Sequence, residues 1–299
     1  MRLLFKFLVL LLSSQLLIAQ QSTQSLDQGL LWKIEGNGIK DPSYLFGTIH
    51  IIPKEDYFLP KGLEESFNKV KKVFFEIDID QMNDPSTMMG IYDKIFMNND
   101  TSLTDLVSVE DYEKLRVFFE NIGFPLSMVD RMKPMFLSAL AGVDGNPNAL
   151  KDGNYKSYEL ELSELAKNKN LETEGLESLE FQLSIFDSIP YNVQAKMLLE
   201  SVSSTGENED QMKQMYQNYK LQNLNALNQS ISKEDQSLQP YLEMMLYNRN
   251  KNWIPKIKAE VINGSCLFAV GAGHLGGERG VIQLLIDEGF TIKPVMSDE

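Results

Sequence analysis

Strand-like patterns lie at the two ends of this chain, and almost everything between them has the periodicity of helices. Near the amino end, "LLWKIEG", "SYLFGTI" and "KVFFEIDID" are short apolar or alternating runs next to turn-forming residues, which is typical of strands. Near the carboxyl end, "SCLFAVG" and "TIKPV" flank the helical pattern "VIQLLIDEG". From about residue 83 to 262, only "NLETEGL" interrupts the helical periodicity as a short strand candidate. The arrangement predicts an α+β fold, with a mixed central β-sheet built from the N- and C-terminal strands and a large helical middle region.

The first 19 residues have the layout of a secretory signal peptide. Arg2 and Lys6 precede the apolar run "FLVLLL", and Leu17-x-Ala19 provides a cleavage position. The apolar stretch is short and interrupted by polar residues, whereas a membrane span needs about 20 apolar residues. We therefore expect cleavage after Ala19, export to the periplasm or the medium, and a single domain over residues 20–299 with no transmembrane segment.

The composition narrows the classes of partner. The net charge is −14, and it becomes −16 when the two cations of the leader are removed. Because such a surface repels phosphate backbones, nucleic acid is excluded as a partner. The single cysteine, Cys266, cannot form an internal disulfide, and its apolar neighbours indicate a small buried hydrophobe.

The chain has only two histidines, and each one closes a Gly-x-x-His pattern. His50 ends "GTIH" and His274 ends "GAGH", and each pattern follows an apolar strand-like run. Functional groups are often carried by loops that a rigid sheet positions, and glycine allows the backbone to turn tightly. If the two strands are neighbours, the imidazoles meet at one edge of the sheet, where Glu76 of another strand would join them.

Two imidazoles and a carboxylate are a recognised ligand set for a catalytic metal that keeps one position open for water. His50, His274 and Glu76 are therefore candidate ligands of a divalent ion such as Mn²⁺, Co²⁺ or Zn²⁺. Strand alternation would place Asp78 and Asp80 on the same face as Glu76, with Asp78 as a spare ligand or a general base. The spacing is not that of a local metal motif, and a single histidine after an apolar run is more often a polar group capping the core.

Two long stretches resemble the TraB/GumN family, which includes the PrgY and Tiki proteins. "FGTIHIIPKEDYFLPKGLEESFNKVKKVFFEIDI" and "VGAGHLGGERGVIQLLIDEGFTIKPV" look like the two ends of such a domain. "KPMFLSAL", "LETEGLESLEFQLSIFDSIP" and "YNRNKNW" follow in family order, so the resemblance covers about residues 28–297. It implies a sheet-centred α+β fold that is distantly shared with erythromycin esterases and ChaN-like haem-binding proteins. For the Tiki branch it implies a metal-dependent protease that needs both histidines and the strand glutamate.

Carried over by position, the resemblance assigns the metal to His50, Glu76 and His274. Further polar positions typical of the family are Glu177, Gln182, Arg249 and Asn250. An arginine at such a site can clamp a substrate carboxylate or stabilise an oxyanion. A structural ion pair between Arg249 and Glu177 would explain the presence of these two residues equally well.

The chain departs from the family pattern in three places. Relatives usually have His-Leu-Pro-Gly where residues 274–277 read His-Leu-Gly-Gly, and they often have Trp where this chain has Met135. The family's Gly-x-Asp corresponds to "KSYELEL", in which Glu159 is the nearest acid. These differences are expected to change a pocket wall and the substrate.

The leading hypothesis is an exported metallo-hydrolase, and more specifically a peptidase. A metal-bound water would attack a peptide or a small ester or amide, while Asp78 or Glu177 takes up its proton and Arg249 assists. The alternatives are a metal-free, esterase-like hydrolase with His50 as general base, a non-catalytic peptide- or haem-binding protein, and a purely structural role for both histidines. In the leading hypothesis, metal affinity should fall as the pH drops through about 6.5, because a protonated imidazole cannot bind metal.

Overall fold

The computed structural model describes residues 28–141, 152–202, 206–233 and 239–295. The expected signal peptide, residues 1–19, lies outside the described residues. The strands are β1 Leu31–Gly36, β2 Ser43–Thr48, β3 Ile52–Pro53, β4 Lys72–Phe75, β5 Tyr155–Lys156, β6 Glu172–Gly175, β7 Cys266–Gly271 and β8 Phe290–Pro294. The α-helices are α1 Leu63–Phe67, α2 Pro85–Ile95, α3 Val109–Asn121, α4 Pro134–Ala141, α5 Tyr158–Asn168, α6 Leu179–Phe186, α7 Tyr191–Val202, α8 Gly206–Lys220, α9 Leu224–Lys233, α10 Asn248–Asn263 and α11 Val281–Asp287.

Six of the strands form one mixed sheet in the order β6-β4-β7-β2-β1-β8. β6, β4, β7 and β2 run parallel to one another, whereas β1 is antiparallel to both of its neighbours, β2 and β8. The predicted α+β fold with its mixed sheet is confirmed. The sheet is not confined to the two ends of the chain, however, because β6 comes from the helical middle region and extends the parallel part.

The central strand β7 is buried on both faces of the sheet. Its residues "CLFAVG" are apolar almost without interruption, and the first five are buried, which is the pattern of a parallel strand covered on both sides. Phe268 of β7 stacks on Phe74 of β4, with ring centroids 5.1 Å apart. The strand that carries the second Gly-x-x-His is thereby held rigidly at the centre of the sheet.

The middle region forms packed helical clusters beside the sheet. Leu115 and Phe119 of α3 pack with Leu137 of α4 and Leu198 of α7 in one cluster, and α2 and α6 contribute to a smaller one. Just before α10, the chain makes a π-helical turn over Glu243–Tyr247. Within the described ranges, no helix combines the length and the apolar content that crossing a bilayer requires.

The strand predicted over "KVFFEIDID" is shorter than expected. β4 ends at Phe75, and a 3₁₀ turn occupies Ile79–Asn83. The carboxylate of Asp78 accepts a hydrogen bond from the backbone N–H of Asp80 at 3.0 Å, and this local bond favours a turn over an extended strand. The prediction that Glu76, Asp78 and Asp80 share one strand face is therefore wrong.

Candidate active site at the carboxyl ends of the parallel strands

The four parallel strands bring polar side chains to one edge of the sheet. Glu76 directly follows β4, His50 and Glu177 lie shortly after β2 and β6, and His274 follows β7. In sheets of this kind, ligands bind in the crevice outside the carboxyl ends of the strands. His50, Glu76 and His274 line one cavity of about 530 Å³, together with Arg249 from α10. The fold thus assembles the three residues that the sequence motifs suggested.

The glycines of the two motifs are explained by close contacts. A Cβ atom on Gly47 would lie 2.7 Å from Cδ1 of Leu275 and 3.2 Å from Cα of Ala272. The backbone N–H of Gly271 donates to Oε1 of Glu76 at 2.9 Å, and a Cβ on Gly271 would lie 3.3 Å from the same oxygen. The first glycine therefore lets the second motif pack against β2, and the second lets the backbone approach the carboxylate.

His274 is buried and oriented by a side-chain amide. Its Nδ1 lies 2.6 Å from Oδ1 of Asn250, and the amide nitrogen of Asn250 donates to the backbone carbonyl of Arg279 at 2.9 Å. Because that carbonyl can only accept, the amide oxygen of Asn250 faces the ring, so Nδ1 carries the proton. The lone pair is therefore on Nε2, which lies 3.2 Å from Nη1 of Arg249 and 3.6 Å from Oε1 of Glu76.

Arg249 is a buried cation between two carboxylates. Its Nη2 lies 2.5 Å from Oε2 of Glu76 and 2.6 Å from Oε1 of Glu177, and its Nε donates to the same Glu177 oxygen at 2.9 Å. Gln182 also donates to Glu76, and the indole N–H of Trp253 donates to Glu177 at 3.0 Å. The Arg249–Glu177 ion pair left open by the sequence is thus present. Arg249 reaches beyond it, to Glu76 and the second histidine.

His50 has a carboxylate partner of its own. Its Nδ1 lies 3.0 Å from Oε1 of Glu159 on α5, and the same oxygen accepts a hydrogen bond from the hydroxyl of Thr48 at 2.8 Å. The imidazole itself is 73% exposed. Since a carboxylate oxygen accepts the Nδ1 proton, the Nε2 atom of neutral His50 also carries a lone pair.

The electrostatic surroundings shift the pKa values of the two histidines in opposite directions. Burial lowers the pKa of His274 to about 4, so the ring is neutral at ordinary pH. The hydrogen bond to Glu159 raises the pKa of His50, an effect that water around the exposed ring weakens. Burial alone would raise the pKa of Glu76. Arg249 and His274, which is protonated in the acid range where Glu76 titrates, outweigh burial and lower this pKa to about 2. Burial raises the pKa of Glu177 even though Arg249 donates to it.

The predicted site residues do not all gather at this edge. His50, Glu76 and His274 share the cavity wall with Arg249, and Glu177 joins through its ion pair. Asp78 lies apart, because its carboxylate caps the turn that follows β4.

Of the two partners that orient the rings, the sequence indicated Asn250 as a family-typical position but gave no sign that Glu159 is the partner of His50. In the sequence, Glu159 is only the acid nearest to a family pattern, and nothing local links it to His50, 109 positions away. The donors Thr48, Trp253 and the backbone N–H of Gly271 had no sequence signal beyond their closeness to the motifs.

The donor chemistry fits a divalent metal ion, although the atoms are not arranged as a metal cluster. Among the described residues, no three His, Cys, Asp or Glu side chains lie close enough together to bind one ion as they stand. The fit rests on two imidazoles whose Nδ1 atoms are held by side-chain oxygens, the usual outer support of metal-binding histidines. The ionised carboxylate of Glu76 is the third donor. Arg249 lies against two of these three donors, so a bound ion would have to replace those two contacts.

The fold and the site define an α+β protein with a paired Gly-x-x-His centre at the carboxyl ends of its parallel strands. The model of the TraB/PrgY/gumN family matches residues 30–294, and the chain belongs to this family.

Similar proteins include "Metalloprotease TIKI2" of Danio rerio, 23% identical over 88% of this chain and 60% of the relative. "Metalloprotease TIKI1" of Danio rerio is 23% identical over 88% of this chain and 62% of the relative. "Metalloprotease TIKI1" of Homo sapiens is 24% identical over 90% of this chain and 62% of the relative. The chain thus spans less than two thirds of the length of these relatives. No solved structure shows significant similarity to the chain.

Proposed function

We propose that the protein is an exported, metal-dependent hydrolase that cleaves amide bonds in peptides. The observation that carries the proposal is the matched pair of imidazoles. The Nδ1 atom of His50 faces Glu159 and that of His274 faces Asn250, so both Nε2 atoms are lone-pair donors in the wall of one cavity that also contains Glu76. The similar proteins named metalloproteases support the same chemistry.

His50, His274 and Glu76 would hold the ion, and Mn²⁺, Co²⁺ and Zn²⁺ all suit a set of imidazole and carboxylate ligands. When bound, such an ion lowers the pKa of a coordinated water and polarises a carbonyl. Arg249 would give up its contacts to Glu76 and His274 but keep those to Glu177 and to the backbone carbonyl of Met245. Its freed N–H groups could then donate to the carbonyl oxygen of the substrate as negative charge develops there.

Glu177 is the better placed of the two carboxylates considered as general base. It belongs to the buried cluster, and burial raises its pKa, which makes it a stronger proton acceptor. It would accept the proton on Oε2 in place of the hydrogen bond from Trp253, so that its contact with Arg249 through Oε1 is kept. In hydrolysis, the water oxygen bonds to the carbonyl carbon while a water proton passes to the base. The proton is then returned to the nitrogen as the C–N bond breaks, leaving a carboxylic acid and an amine.

The test is a calorimetric titration of the metal-stripped protein with Mn²⁺, Co²⁺ and Zn²⁺, beside a His50→Ala variant. Because His50 is largely exposed, its removal does not open the core, and circular dichroism checks that the variant is folded. We expect one ion per chain and a loss of at least about tenfold in affinity in the variant. No binding by the parent protein, or equal binding by both, would exclude this metal site.

One observation favours a second candidate, a metal-free hydrolase in which His50 is the base. The pairing of its Nδ1 with Glu159 at 3.0 Å is the arrangement that orients a histidine for proton abstraction through Nε2. A chelator distinguishes the two candidates, since only the metal-dependent enzyme loses peptide cleavage in its presence and recovers it on adding the ion. A peptide retained uncut under both conditions would instead indicate a binding protein.

Export is part of the proposal and rests on the leader pattern of residues 1–19. Expression of the full chain in a bacterium, followed by sequencing of the amino end of the product, tests it. A periplasmic or secreted product that begins at residue 20 is expected, whereas an intact leader in the cytosolic fraction would contradict export.

A further inference from the structure

Two cavities meet at the candidate reacting centre. The larger, of about 530 Å³, and a smaller one, of about 300 Å³, both include His50, Glu76 and Gln182 in their walls. Apart from these three residues, the described linings do not overlap. The centre therefore lies between two separate spaces, and a substrate that reaches it can extend into both.

The larger cavity is apolar away from the centre. Its wall contains Met135 of α4, Phe186 of α6, Met215 of α8, Leu227 of α9 and Met245 of the π-helical turn. Methionine side chains are flexible and polarisable, so such a wall can adapt to apolar groups of different shape. The volume lies within the range of about 300–1,000 Å³ that is typical of ligand pockets.

The smaller cavity lies on the β4 side of the centre and is also mainly apolar. Ile51, Phe75, Ile77 and Leu160 contribute to its wall. Its one carboxylate outside the shared residues, Glu159, is already engaged by Thr48 and His50. Its volume is at the lower end of the usual range for ligand pockets, which suits a single side chain.

We propose that the two cavities are the subsites on either side of the cleaved bond, so that the substrate is a peptide with an apolar residue on each side of an internal amide. This inference rests on the proposed hydrolase function and adds its substrate class. The charged groups within reach, Arg249 and Glu159, are already paired with Glu177 and His50. A terminal ammonium or carboxylate would therefore lie in an apolar pocket without a free partner, which is costly. An internal bond avoids this cost, and the adaptable larger cavity accepts a range of apolar side chains.

Cleavage of internally quenched peptides blocked at both ends tests the proposal with the metal-loaded, full-length mature chain. The reference peptide has the core Gly-Gly-Leu-Leu-Gly-Gly, and the comparison peptides replace one or the other leucine by aspartate. We expect cleavage between the leucines and a loss of at least about tenfold in kcat/KM for either aspartate peptide. Equal cleavage of all three peptides would overturn the subsite assignment, as would cleavage that requires a free terminus.

Two variants assign the subsites individually. Met135→Trp narrows the larger cavity, and Leu160→Trp narrows the smaller one. Each should shift the preference from leucine to alanine on one side of the bond only, and the two variants should act on opposite sides. The matched controls are Met128→Trp and Leu221→Trp, since both residues are exposed and belong to neither cavity. Because Leu160 is itself 53% exposed, its variant remains informative if Met135→Trp fails to fold.

A binding measurement separates failure of this inference from failure of the proposed function. Fluorescence anisotropy follows a fluorescein-labelled Leu-Leu peptide on the metal-stripped protein, with the two aspartate peptides as competitors. One outcome is that the Leu-Leu peptide binds, that both aspartate peptides compete weakly, and that no cleavage follows when metal is added. This outcome would refute the hydrolase function but support the apolar subsites. Cleavage without any preference for leucine would refute the apolar subsites but support the hydrolase function.

Discussion

Arg249→Met is the substitution whose effect follows most directly from the structure. Arg249 is 7% exposed and forms ion pairs with Glu76 and Glu177, whose side chains are 10% and 6% exposed. Methionine is apolar and has a similar length, so the change removes the charge while filling most of the space. Two buried carboxylates then remain without their cation.

The expected cost is about 3–5 kcal/mol of unfolding free energy, which is the usual effect of removing one partner of a buried ion pair. A typical domain has about 5–15 kcal/mol in total, so the metal-stripped variant should be close to its stability limit. A divalent ion would supply the missing positive charge. At about 1,000 times its dissociation constant, such an ion would return about 4 kcal/mol, and the gain should exceed that of the parent protein, in which Arg249 competes.

Urea denaturation followed by circular dichroism measures both effects, first with a chelator and then with Mn²⁺, Co²⁺ or Zn²⁺ in excess. Arg116→Met is the matched control, because Arg116 also pairs with two glutamates but lies on the exposed face of α3. Its substitution should change the unfolding free energy far less than Arg249→Met, because exposed ion pairs are screened by water. A cost of the same size for Arg249→Met would refute the picture of a buried charge cluster. In addition, Glu76→Gln should cost less in the Arg249→Met background than in the parent protein, since the two residues are coupled.

Three further outcomes follow from the site and the core. Asn250→Ala removes the acceptor for Nδ1 of His274 and should lower metal affinity by about 10–100-fold in calorimetry; an unchanged affinity would show that the amide does not orient the ring. Because Glu159 raises the pKa of His50 above 6.5, bound ions must displace a proton near neutral pH. Affinity should therefore keep rising with pH above 6.5 and fall in acid, and Glu159→Gln should move this rise to lower pH, whereas identical pH profiles would contradict the pairing. Burial raises the pKa of Cys266 to about 12, so a disulfide reagent such as DTNB should react with it only after denaturation, and rapid reaction with the folded protein would refute its burial.

Local sequence patterns predicted the six strands of the main sheet but not the short pair β3 and β5. The apolar run of β7 predicts a strand, and in the structure this strand is parallel to β2 and β4 and buried over its first five residues. The first two predicted strands, β1 and β2, pair antiparallel across the turn-rich "NGIKDP". Asp78 shows the limit of such patterns: alternation continues through "EIDID", but a side-chain cap on the next turn competes with the strand and prevails.

The paired Gly-x-x-His pattern also pointed to the right edge of the sheet. The carboxyl ends of neighbouring parallel strands meet at that edge whatever residues connect the strands. The convergence of His50, His274 and Glu76 therefore needed only the strand assignments and their parallel pairing. The glycines, in contrast, have a reason that only the packed structure reveals: Gly47 makes room for Leu275, and Gly271 lets the backbone reach the carboxylate.

What only the tertiary structure decided is the set of partners that gives these residues their chemistry. Glu159 reaches His50 across 109 positions, and Arg249 reaches Glu76 across 173. Such contacts depend on how helices from the middle of the chain are laid against the sheet, a choice made by the whole packed core and not by any local pattern. The sequence by itself determined the six strands of the main sheet and the placement of His50, Glu76 and His274 near their ends. The packing of α5 and α10 determined which imidazole nitrogen carries the proton, which carboxylates are paired, and where the apolar cavities open.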